Sequence, residues 1–147
     1  MSSLAFTVPG EVRGKGRPRI VKIGGFSRMA ADKKTATYEN LVALAAMEAM
    51  GARQPFDCPL VVSMCARFVP AASASRKARA DMLSAASPPA KKPDLDNIAK
   101  ILDALNGIAF RDDALIVDLH VRKVYAETPG LDVLITPYAP TAVAVAA

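Results

Sequence analysis

Hydrophobic and polar residues alternate over Leu4–Val12: Leu4, Phe6 and Val8 share one face, Ala5 and Thr7 the other. That period of two predicts a strand, which Pro9 and Gly10 bend at its end or confine to a sheet edge. Ile20–Ile23 and Phe26–Arg28 flank Gly24-Gly25 and predict a small hairpin. Asp32 can cap a helix running to about Met50, with Tyr38, Leu41, Val42, Ala45 and Ala49 at helical spacing and Gly51 as the stop. Pro59–Val69 alternates again, Val62, Met64, Ala66 and Phe68 against Ser63, Cys65 and Arg67. Ser75 can cap a short basic helix over Arg76–Ala86, and the prolines of Ser87–Pro93 force an extended chain. A further helix is predicted from near Asp94 to Asn106-Gly107. Ile116–Ala126 then reads as a long β-branched strand, and after the turn Thr128-Pro129-Gly130 the segment Leu131–Thr136 returns antiparallel. This order predicts an α+β fold, a mixed or antiparallel sheet with helices packed on it. Residues 1–138 are expected to form one domain and residues 139–147 a low-complexity tail.

A length of 147 residues suits one core, and 52% hydrophobic with 22% charged residues is the composition of a soluble globular domain. No apolar run reaches the roughly 18 residues of a membrane span. The first ten residues lack the basic start and apolar stretch of a signal peptide. Cys58 and Cys65 make neither a disulfide framework nor a CxxC pair, so a reducing, cytoplasmic setting is expected.

The net charge of +5 is unevenly spread. Residues 1–34 carry a net +6, residues 73–92 a net +4, and residues 93–147 a net −4. Basic segments beside a carboxylate-rich one suggest a polyanionic partner and a cation site in the same domain.

The carboxylates are patterned. On a helical wheel Ile98, Ile101, Leu102 and Leu105 share one side, while Asp96, Lys100 and Asp103 fall on the other. Asp94 stands at the helix mouth, and Asp112-Asp113 opens the long strand. Each carboxylate alone could be a cap or half of a surface pair. Together, beside two basic segments and with no histidine near, they form an oxygen-only donor set suited to Mg²⁺, which keeps several waters for a phosphate substrate. A calcium loop starting at Asp94 fails, because Ala99 and Leu105 stand where Gly and Glu are needed. Gly14 and Gly16 match neither a P-loop nor a dinucleotide fingerprint. His120 lies mid-strand and reads as structural, and the cysteines read as packing residues.

The string Lys92-Pro-Asp94-Leu-Asp96-Asn97-x-x-Lys100-x-x-Asp103-Ala-Leu-Asn, followed by Asp112-Asp113-x-x-Ile116, resembles the RusA family of Holliday junction resolvases, which prophages often carry. Lys15-Gly-Arg-Pro-Arg19, the basic helix Ser75–Ser87 and Lys123-Val-Tyr125 add to the resemblance, which covers roughly residues 4–138. It implies a structure-selective endodeoxyribonuclease that resolves four-way DNA junctions by Mg²⁺-dependent hydrolysis, with Mn²⁺ able to substitute. By the same resemblance Asp94, Asp96 and Asp113 match the metal ligands, with Asp112 an alternative to Asp113, and Lys100 matches the essential lysine. Asp103 is expected to orient Lys100. Lys15, Arg17, Arg19, Arg76, Lys77, Lys91 and Lys92 are expected on DNA phosphates. Lys123 shares a face with an apolar row, so it either meets the carboxylates and lines the pocket or reaches solvent at the rim. Two opposed cuts across a four-way junction call for two matched sites, hence a homodimer. A non-cleaving DNA-binding protein of the same fold and a less selective nuclease for branched DNA are the alternatives.

Overall fold

The computed structural model describes residues 2–16, 19–30 and 33–140. Its elements run β1 (Leu4–Pro9), β2 (Arg19–Ile23), β3 (Phe26–Ala30), α1 (Lys33–Met50), β4 (Leu60–Phe68), α2 (Arg76–Leu83), α3 (Leu95–Ala99), β5 (Ile116–Tyr125) and β6 (Gly130–Pro137). This is the predicted order and an α+β fold. Gly24 and Gly25, with φ of 58° and 85°, turn β2 into β3, as a primed two-residue turn requires. That hairpin is a sheet of its own. Asp32, the proposed cap of α1, and residues 141–147 of the predicted tail lie outside the described residues.

The main sheet is mixed, with strand order β1-β6-β4-β5. β4 and β5 run parallel, while β6 pairs antiparallel with both β1 and β4. The turn after Ala126 therefore does not make a hairpin: β6 opposes β5 in direction but passes over β4 to its far side. The connection from β4 to β5 is long and partly helical, which permits the parallel pairing. Leu131, Val133 and Ile135 are buried, so β6 gains most in the middle of the sheet.

One face of the sheet is covered. Leu60, Val62, Met64, Ala66 and Phe68 of β4 point into the core, as their alternation predicts. α1 packs there through Thr35, Tyr38, Val42, Ala46 and Met50; Tyr38 and Val42 are as predicted, Ala45 and Ala49 are only partly buried, and Ala46 and Met50 beside them go in instead. Leu41 and Leu44 are 37% and 61% exposed. The helix is so rich in alanine that its two sides differ little in hydropathy, and the larger residues do not mark the buried one. No helix among the described residues is long and apolar enough to cross a membrane.

The single helix predicted from Asp94 to Asn106 is two pieces. α3 ends at Ala99, and Lys100–Leu105 winds as a 3-10 helix. Tighter winding rises about 2.0 Å per residue instead of 1.5, so the segment reaches further along the sheet. Ile98, Ile101, Leu102 and Leu105 are all buried and hold it down. Gly107, at φ 79°, ends it where predicted, its N–H donating to Phe110 O at 2.7 Å.

Candidate active site

The aspartate segment is held down at several points. Its N-terminal end lies against the loop after β1, where Lys15 N donates to Asn97 O at 2.9 Å. Gly14 is needed for this approach: a Cβ there would stand 2.8 Å from Pro93 Cβ and 2.9 Å from Asn97 Cβ. Asp94 occupies the N-cap position of α3 and its carbonyl accepts from Asn97 N and Ile98 N, each at 3.1 Å, but its side chain makes no cap bond. The Asp96 side chain is 73% exposed, its Oδ2 4.0 Å from Lys100 Nζ. Lys100 Nζ also lies 3.4 Å from Asn97 Oδ1.

Between the 3-10 segment and the start of β5 is a cleft of about 400 Å³, with Lys100, Asp103, Asp113 and Asp118 among its walls. In a 3-10 turn residues i and i+3 eclipse, which is why Lys100 and Asp103 share this side. Asp113 is fixed by its backbone, whose N–H donates to Asn106 Oδ1 at 2.8 Å. The carboxyls of Asp112 first and then Asp103 lie against its own, and these neighbours raise its pKa above the usual carboxylate range. Asp112 is pulled the other way, first by the backbone N–H of Ala114, which donates to its Oδ1 at 2.9 Å, and then by Asp113. Asp112 thus caps its own turn while Asp113 faces Asp103. Asp94 and Asp96 stand at the N-terminal end of α3 and are not among the residues lining this cleft. Among the described residues no three acidic, histidine or cysteine side chains are gathered into a ready-made metal cage. Crowded carboxylates beside a lysine are nonetheless the donor set a hard cation fits, since a cation relieves their repulsion.

A family model described as endodeoxyribonuclease RusA matches residues 9–136. The chain belongs to the RusA family. The uncharacterized protein YqaN of Bacillus subtilis (strain 168) is 34% identical over 140 residues, which are 92% of this chain and 96% of that one. The RusA match runs from the end of β1 to β6 and takes in the basic loop, both aspartate clusters and Lys123. The family is one of endodeoxyribonucleases, hydrolases of DNA phosphodiesters.

In this RusA-family chain Asp103 shares the cleft wall with Lys100, but its ion pair is with another lysine. Its cation is Lys15, whose Nζ lies 3.3 Å from Asp103 Oδ2 and 3.3 Å from Glu39 Oε1 on α1. Burial works to lower the Lys15 pKa, but the carboxylates of Glu39 and Asp103 outweigh it and the net shift is upward. The Lys15 ammonium, on a side chain 32% exposed, is thus shared between two carboxylates. Among the described residues Lys123 meets no carboxylate: its Nζ donates to the backbone oxygens of Lys91 at 2.6 Å and Pro93 at 3.1 Å. Lys91 Nζ lies over the rings of Phe68 and Tyr125, 5.7 and 5.8 Å from their centroids. Arg76 and Lys77 stand exposed on α2, which has no buried residue, and Lys92 is exposed too. Arg19 begins β2, and Arg17 lies outside the described residues.

The sequence missed Asp118, Asn106 and Glu39. Asp118 sits in a strand where nothing separates it from a solvated charge, and Asn106 reads only as part of a helix stop. Glu39 gives no signal until the loop is seen to bring Lys15 against it. A broader hollow of about 1150 Å³ lies over the uncovered face of the sheet, near Ser63, Cys65 and His120. Asp132 on its wall is held by Thr7, at 2.7 Å, and by Arg67, at 2.9 Å, rather than crowded against other carboxylates.

Proposed function

We propose that this chain resolves four-way DNA junctions, acting as a homodimer with a divalent cation, Mg²⁺ or in its place Mn²⁺. The observation that carries the reading is the crowding of Asp113 against Asp103 beside Lys100, within a family of endodeoxyribonucleases. Asp113, Asp94 and Asp96 would hold the cation, with Asp112 left to cap its turn. A bound cation would lower the pKa of its water and offset charge growing on the scissile phosphate.

The chain's own residues do the rest. Lys100, exposed on the cleft wall, can donate to a non-bridging oxygen of the phosphate and hold it in line for attack. Asp103, neutralised by Lys15, adds less repulsion toward DNA than a free carboxylate would. Arg76 and Lys77, with Lys92 nearer the site, supply sequence-independent phosphate contacts. Leu41, Leu44 and Met47 give α1 an outward apolar strip, which supports a second copy as partner. A cytoplasmic location follows from DNA as substrate.

The test is cleavage of four-way, flap and linear duplex DNA with Mg²⁺ and with EDTA. Paired nicks in the four-way substrate, abolished by EDTA, are expected. Binding without cutting would make the chain a junction-binding protein, and equal cutting of all branched substrates a less selective nuclease. Full activity in EDTA would remove the cation from the mechanism.

A further inference from the structure

Among the described residues Asp94 is seen to be held by its backbone alone. Its side chain makes no cap bond, so the carboxylate goes where the backbone takes it. On the C-terminal side that backbone is fixed by α3. On the N-terminal side the chain arrives through Lys91-Lys92-Pro93, a segment outside any helix or strand.

That segment is gripped twice from β5. Lys123 Nζ donates to Lys91 O and Pro93 O, the two carbonyls that bracket Lys92. Tyr125, two residues further on and opposite Phe68 in the ladder, forms with Phe68 the aromatic surface under the Lys91 ammonium. The start of β5 follows directly on the turn Asp113–Leu115. One strand therefore has Asp113 in the turn just before it and carries the anchor of Asp94 near its end.

We propose that Lys123 is a positioning residue that sets Asp94 relative to Asp113 by clamping the carbonyls of Lys91 and Pro93 to β5. This rests on the reading of Asp94 and Asp113 as cation ligands. An ammonium suits the task because its three donors can serve two carbonyls at once and its charge strengthens each bond. The ammonium is occupied by these bonds and is not offered to DNA.

The experiment compares wild type with Lys123→Met and Tyr125→Leu. Mn²⁺ binding to the DNA-free protein is followed by electron paramagnetic resonance, alongside the unfolding midpoint, junction affinity in Ca²⁺ and cleavage rate against Mg²⁺ concentration. Removing the support of a ligand typically costs tenfold or more in metal affinity, so Lys123→Met is expected to weaken Mn²⁺ binding about tenfold. Its Mg²⁺ midpoint should rise in step, with junction affinity held and much of kcat regained at saturating Mg²⁺. Tyr125→Leu should move the same readouts less far. A role in folding alone would lower the unfolding midpoint and leave the metal midpoint where it was, which overturns the proposal. If Lys123→Met does not fold, Tyr125→Leu decides, and wild-type Mn²⁺ affinity there overturns it as well. Failure of the wild-type protein to bind Mn²⁺ or to cut would instead strike the cation reading beneath it.

Discussion

Lys15 Nζ stands 3.3 Å from Asp103 Oδ2, so a residue of the first basic loop is tied to the 3-10 segment that carries the cleft. Glu39 on α1 completes a three-element junction at the same ammonium. The Lys15 pKa is raised, so the stabilisation from this junction is whole below the unfolded value of 10.5 and is lost only as pH rises through the folded one.

Lys15→Met is therefore expected to lower the unfolding free energy by about 1 kcal/mol or less, the range of partly exposed ion pairs. The slope of log K for junction binding against log salt should not change. A fall in that slope of about 0.9, the signature of one lost phosphate contact, would return Lys15 to the DNA.

Arg76→Ala and Lys77→Ala should each reduce the same slope by about 0.9 on duplex arms, with no change in unfolding free energy, because α2 buries neither side chain. Salt titrations of junction binding measure both. An unchanged slope in the double variant would take α2 off the DNA.

Replacing Asp94, Asp96 or Asp113 by Asn is expected to lower kcat by about 100-fold or more. Junction binding in Ca²⁺ should be kept or tightened, since a neutral amide repels phosphates less. Single-turnover cleavage of a labelled junction reads the rate, and near wild-type cutting removes that residue from the ligand set.

Asp113 gives a stability signature against pH. Its folded pKa lies above the unfolded 3.8, so the folded state holds the proton more tightly and ionisation works against the fold. The penalty is absent below 3.8, grows as pH rises through the folded pKa, and is constant above it. In metal-free protein Asp113→Asn should accordingly be the more stable form at about pH 7 and lose that advantage at about pH 3. Urea midpoints at the two pH values test this; equal midpoints at neutral pH would mean the carboxylates do not crowd.

Much of this was legible in the sequence because each feature had a local cause. β4 alternates without a break, Gly24-Gly25 allows one kind of turn, and Ser75 Oγ does accept from Ala78 N at 3.1 Å, as its place before a helix predicts. What stayed hidden depended on distant partners. Nothing in Leu131–Thr136 says that it will lie between β1 and β4, because its burial pattern fits either place. Lys15 looked like a phosphate contact because Glu39 and Asp103 are far from it in the chain. The aspartate cluster could be found from spacing, but its division between helix mouth and cleft needed the change of winding at Lys100.

The placement of β6 has a consequence for how the protein is made. β1 pairs with no strand of the main sheet except β6, the last strand of the fold in chain order. Until residues 130–137 emerge from the ribosome, β1 has no ladder partner in this sheet and β4 lacks one of its two. The nascent chain can carry every candidate catalytic aspartate and still have no platform to hold them. The platform for those aspartates thus stays incomplete until its last strand in chain order has been made.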